Sequence, residues 1–115
     1  ATWLTPTTVV RQFWEAIIDG DYEKANELLH PGSLNYPLDE SSVAISGQQV
    51  ESVEEVTYEE ASDIIALAPK EDFDEVIQDR TGATEYTFVH ISLTDTDGIT
   101  PVVEQDGESL AVWIR

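Results

Sequence analysis

The sequence predicts an α+β fold: an N-terminal helical hairpin packed on a curved antiparallel sheet, with short helices inserted in the middle third. Three observations predict it. A capped amphipathic helix opens the chain, a Gly-Asp break leads into a second helix, and the last third alternates apolar and polar residues between turn signals. The 115 residues suit one domain, 1–115, and a 41% apolar share supplies a core.

Thr5 reads as an N-cap and Pro6 as the first helical residue. Val9, Val10, Phe13, Trp14, Ala16, Ile17 and Ile18 then cover roughly half the helix circumference at about 100° per residue. So broad an arc implies more than one neighbour. Gly20 suits the left-handed position after this helix, and Asp21 can cap the next. Tyr22, Ala25, Leu28 and Leu29 stripe that second helix, which is expected to run to His30 and stop at Pro31-Gly32.

In the middle third, Leu34, Tyr36 and Leu38 alternate around Pro37, which argues for an edge or an extended loop. Val43 and Ile45 suit a short strand ended by Gly47. Val50, Val53 and Val56 do not alternate, so a strand there needs a bulge or two buried faces. Helical stripes follow at Tyr58, Ala61, Ile64, Ile65 and Ala68, ending before Pro69, and at Phe73, Val76 and Ile77, ending near Gly82.

Glu85 to Thr94 reads as a strand with Thr87, Val89, Ile91 and Leu93 on one face and Tyr86, Phe88, His90 and Ser92 on the other. Asp95-Thr96-Asp97-Gly98 is the expected turn, Ile99 to Glu104 returns, and Asp106-Gly107 is a hairpin signal before Ser109 to Arg115. In that last strand Leu110, Val112 and Ile114 share one face, Ala111 and Trp113 the other.

Charge narrows the function. Asp and Glu total 24 against 5 for Lys and Arg, a net charge of −19. Such a surface repels nucleic acid, whose recognition needs cations at phosphates. The carboxylates form no block and no tail. An even coat that self-repels in dilute buffer and is screened in concentrated salt points to an extreme halophile. A calcium-loaded surface or a basic partner is the alternative. The chain has no cysteine, which excludes disulfides, thiolate zinc sites and a cysteine nucleophile, and no stretch approaches the ~20 apolar residues of a membrane span. With Ala1 first and no methionine, a processed form or an excised domain is expected. Localisation stays open between a halophile's cell surface or exterior and the cytoplasm.

The opening Thr5-Pro6-Thr7-Thr8-Val9-Val10-Arg11-Gln12-Phe13-Trp14-Glu15-Ala16-Ile17-Ile18-Asp19-Gly20-Asp21, the following Leu28-Leu29-His30-Pro31-Gly32-Ser33 and the closing Asp106-Gly107-Glu108-Ser109-Leu110-Ala111-Val112-Trp113-Ile114 resemble the nuclear transport factor 2-like (cystatin-like) superfamily. This is the cone-shaped α+β fold shared with ketosteroid isomerases. In the isomerase branch a pocket carboxylate acts as base while a tyrosine and a protonated acid form the oxyanion hole. None of those roles falls on a matching position here. Many small members that this chain resembles, including surface-anchored ones from halophiles, have no assigned catalysis and look like binding or accessory domains.

His90 is the first candidate for chemistry, as acid, base or ligand-binding group, with Tyr86 as a hydrogen-bond donor two strand positions beyond Phe88. The plainer reading puts that face on solvent or in a dimer interface. His30 reads as a helix-end residue suited to the dipole. Asp95, Asp97 and Glu104 fall at three ligand positions of a calcium loop aligned on Gly98, but Leu93 stands at the first and the flanks are strands. Tight-turn acids are the simpler account, so no metal is assigned. Trp3, Phe13, Trp14, Tyr22, Tyr36 and Trp113 could line an apolar pocket, but their spacing is what a core requires, so core is the default; a pocket in this fold would draw on Trp14, Ile18, Phe88 and His90. No Ser-His-Asp order with supporting glycines, phosphate loop or dinucleotide fingerprint is present, and no cofactor is expected. The expectation is a non-enzymatic domain binding a small molecule or a protein in high salt. A small-molecule isomerase or lyase using a pocket acid or His90 is the alternative, and a homodimerisation module through the sheet's outer face is the third reading.

Overall fold

The first helix begins where a hydroxyl can replace a missing backbone acceptor. In a computed structural model that describes residues 5–33, 36–41, 47–105 and 107–113, Thr5 Oγ1 accepts from the Thr8 amide at 3.3 Å and Pro6 opens α1 (Pro6–Asp19). The helix closes on Gly20, whose φ of 78° lets Gly20 N bond Ile17 O and Asp21 N bond Ala16 O. Val9, Val10, Phe13, Ala16 and Ile17 are buried. Burying each of the larger ones stabilises the fold by about 1.5–3 kcal/mol.

Asp21 caps α2 (Tyr22–Glu27) by accepting from the Lys24 amide at 3.2 Å. This helix is shorter than the stripe through Leu29 predicts. The Ala111 amide donates to Leu28 O and the His30 amide to Ala111 O, both at 2.8 Å, forming a parallel bridge at Leu29. Sheet bonding thus takes over the backbone groups that a longer helix would use. His30 is therefore no helix-end residue: its Nδ1 accepts from Gly32 N at 2.9 Å, and Nε2 lies 3.3 Å from Gln105 Oε1. Further on, Leu38 is buried with its backbone clasped by the Asn26 side chain, donor and acceptor both used, in an extended loop.

The remaining elements are β1 (Val50–Val56), α3 (Tyr58–Ile64), α4 (Lys70–Thr81), β2 (Tyr86–Leu93), β3 (Asp97–Gln105) and β4 (Glu108–Ala111). The strands form one antiparallel sheet in the order β1-β2-β3-β4. The irregular valine spacing of β1 is met in two ways: the register shifts between Val50 and Ser52, and Val53 and Val56 pack on opposite faces of the sheet. Thr57 and Glu60 close a capping box at the start of α3. That helix ends at Ile64 rather than Ala68, because Ile65 turns extended and the Tyr58 hydroxyl donates to Ala68 O, folding the segment back. The β2–β3 turn is tighter than expected. Leu93 N bonds Thr96 O, so Asp97 and Gly98 already belong to β3.

Phe88 and Val89 separate the two faces of the sheet. Val89, Ile91, Leu93 and Val102 pack on α1 through Val10, with Trp14 and Ile18 alongside. Phe88 and Val103 pack on α3 and α4 through Ala61, Phe73 and Ile77. Helices therefore lie on both faces. The last strand stops at Ala111 although the alternation continues: Val112 packs with the α4 side and Trp113 with the α1 side, as the pattern requires. Pro101, opposite this point on β3, has no N–H to continue the ladder, and Val112 N donating to Pro101 O at 2.9 Å is its last bond. No helix among the described residues is long and apolar enough to cross a membrane. The readings placed on Trp3, Leu34, Val43, Ile45, Asp106 and Ile114 lie outside the described residues.

Candidate functional site

Because β4 pairs with β3 only from Val102 to Gln105, the run Asp97–Pro101 continues past its end, and a cleft of about 280 Å³ opens beside it. Its walls come from both helical layers. Trp14 of α1 reaches it from one side and Phe73 of α4 from the other, with Ile65 and Leu67 of the α3–α4 connection and Trp113 completing the lining. The indoles of Trp14 and Trp113 lie 5.6 Å apart at 36°, and the rings of Phe73 and Phe88 5.0 Å apart. Trp14 Nε1 donates to Thr100 Oγ1 at 3.1 Å, which aims the indole along the sheet edge. Asp97 and Thr100 add polar side chains to a mostly apolar lining, the composition of a small-ligand pocket, with a volume just below the usual range of about 300–1,000 Å³.

Of the four predicted pocket residues, the structure brings Trp14 and Phe88 together here. Ile18 is not with them. One helical turn beyond Trp14, it packs with the α1 face of the sheet and lines a separate groove with Glu15, Asp19 and Gln48. His90 lines none of these clefts. It stands at the centre of the sheet, opposite Glu54 of β1 and Ile99 of β3. Glu54 Oε1 is 4.0 Å from Nδ1 and Asp97 Oδ2 is 3.4 Å from Nε2, which is buried and not aligned for a hydrogen bond.

Tyr86 and His90 share a face, but four strand positions at ~3.3 Å each hold them about 13 Å apart, with Phe88 between. They do not form one acid–base pair. The Tyr86 hydroxyl donates instead to Asp74 Oδ1, and the Lys70 ammonium bonds the same carboxylate at 3.1 Å. Burial and the bond to Asp74 hold the Tyr86 hydroxyl above the usual phenol range. The bond from Tyr86, helped by Lys70, holds the Asp74 carboxyl below its ordinary value. A neutral phenol whose proton is already committed to a carboxylate is a poor base and an occupied donor.

The three acids weighed for a metal do not meet either. Asp97 and Glu104 sit near opposite ends of β3, about 23 Å apart at ~3.3 Å per residue, and Asp95 lies in the turn before it. Among the described residues no group of three or more His, Asp or Glu side chains is placed to hold a metal ion.

The residues that sequence reasoning missed at the cleft are Ile65, Leu67, Phe73, Gly98, Ile99, Thr100, Pro101 and Val112; Asp97 is weighed there only as a metal ligand, and Trp113 is core by default. Pro101 was the available signal, since a proline inside a strand marks an edge. In comparisons with protein-family models, curated proteins and solved structures, none matched this chain.

Proposed function

We propose that this chain is a non-enzymatic ligand-binding domain of the nuclear transport factor 2-like type, adapted to concentrated salt, whose site is the Trp14–Trp113 cleft. The observation that carries the reading is a mostly apolar, aromatic-walled cleft whose lining includes the polar side chains of Asp97 and Thr100. Its volume suits a compact, neutral, one- or two-ring molecule rather than a drug-sized one. The family reading is supported by α1 on a four-stranded antiparallel sheet and by the Gly20–Asp21 break into α2. Its finer form is a sheet curved into a cone with the cleft at its mouth. The salt reading rests on the net charge of −19, and a halophile's cell surface is the location that accompanies it.

The test is a titration with a neutral naphthol, followed by tryptophan emission and by amide NMR shifts. Saturable binding that Trp113→Ala weakens by about tenfold or more, while His90→Gln leaves it unchanged, is the expected result. No saturable shift, or loss with His90→Gln alone, sinks it.

An isomerase or lyase is the second reading, favoured by the placement of His90 between Glu54 and Asp97, the latter also lining the cleft. A homodimer comes third. The face carrying Phe88 is packed on α3 and α4, and Glu54 and Asp97 at its other end would meet their own copies across a twofold axis.

A further inference from the structure

A second cleft, of about 530 Å³, lies on the other side of Phe88, between the end of β1, the start of α4 and the start of β2. Three aromatic rings line it. Phe88 stands 6.0 Å from Tyr58 and 5.3 Å from Tyr86, centroid to centroid. Three carboxylates, Asp74, Glu85 and Glu104, join them, against one cation, Lys70. The Lys70 Nζ lies 6.0 Å from the centroid of the Tyr86 ring while pairing with Asp74. The protein's own ammonium thus rests where ring face and carboxylate converge, the combination that attracts organic cations. The pair it makes is an exposed one, with 60% of the Lys70 side chain accessible, and exposed pairs contribute little. Lys70 can swing into solvent and leave the ring and the carboxylate to another cation.

We propose that this cleft binds a small alkylated ammonium compound in exchange for Lys70, its headgroup lying against Tyr86 and facing Asp74. Anions are disfavoured, since carboxylates outnumber the single cation of the lining and the whole protein is strongly negative. Alkali cations carry the same charge but lack the apolar, weakly hydrated surface that a ring face rewards. A saturated alkylammonium ion is therefore distinguishable from potassium at equal ionic strength.

The experiment titrates the whole chain with tetramethylammonium chloride, with potassium chloride at matched ionic strength as control, and follows amide NMR shifts at Tyr58, Asp74, Tyr86 and Phe88. Expected is a saturable shift for tetramethylammonium only, strengthened about threefold or more in Lys70→Gln, which removes the internal competitor, and weakened about three- to tenfold in Tyr86→Leu. Amides of α1 unchanged in the variants show that the fold persists. Lys70→Gln, a change at an exposed side chain, keeps the test decisive if Tyr86→Leu fails to fold. Equal shifts with potassium, or no gain in affinity in Lys70→Gln, overturn the proposal.

Discussion

Trp14 and Thr100 are joined by a 3.1 Å hydrogen bond that ties the middle of α1 to the unpaired edge of β3. Thr100 is buried, so its hydroxyl has few other partners to turn to. Thr100→Val keeps the shape and removes the acceptor. We expect a loss of about 1 kcal/mol in urea denaturation, the usual net worth of such a bond, together with a shift in tryptophan emission as the indole loses its anchor.

Gly32 and Gly20 separate two reasons for glycine. A Cβ on Gly32 would lie 1.8 Å from the carbonyl oxygen of Arg80 at the end of α4, and backbone cannot step aside as a side chain can. At Gly20 a Cβ meets open space, and the cost is the positive φ alone. Gly32→Ala should therefore destabilise by about 3 kcal/mol and Gly20→Ala by about 1 kcal/mol. Thermal melts of the two variants that reverse this order would show the close approach to be unimportant.

Tyr86 and Asp74 predict a pH profile. The folded state holds the Tyr86 proton more tightly than the unfolded chain does, so its contribution is complete below pH ~10 and is lost as pH rises through the raised folded value. Asp74 has the opposite sign. Its depressed folded value means the contribution is present above pH ~4 and lost as pH falls through that lower value. The stability difference between the native chain and Tyr86→Phe should be flat between roughly pH 5 and 9 and shrink at both ends. Denaturation at a series of pH values checks this, and absorbance near 295 nm should show one phenol ionising late.

Salt should matter more than any single residue. At −19, repulsion spreads over the whole surface in dilute buffer and is screened within about 3 Å in molar salt. The melting temperature should rise by several degrees between dilute buffer and 1 M KCl. An unchanged melting temperature removes the halophile reading.

Local signals were legible wherever the structure depends on neighbours in the chain. Thr5, Pro6 and Gly20 bound α1 as read, and the spacing of Val50, Val53 and Val56 asked for a bulge or two buried faces: the register of β1 shifts between Val50 and Ser52, and Val53 and Val56 pack on opposite faces. The i,i+4 pair of Lys70 and Asp74 can also be read off a helix. Its meeting with Tyr86 cannot, since that depends on how α4 lies across β2. The same holds for Leu28 and Leu29, which continue a helical stripe until Ala111, from the other end of the chain, claims the backbone.

By itself, then, the sequence determined a net charge of −19, an α+β order of elements, and the apolar faces those elements must bury. Caps, turns and periodicity act within a few residues, so they are written locally. Only the tertiary structure decided where the clefts lie. It put helices on both sides of the sheet, parted His90 from Tyr86, and gathered Trp14, Phe73, Phe88 and Trp113 around the edge where Pro101 ends the β3–β4 ladder. A cleft is the space that packing leaves over, and packing joins residues whose distance along the chain carries no pattern.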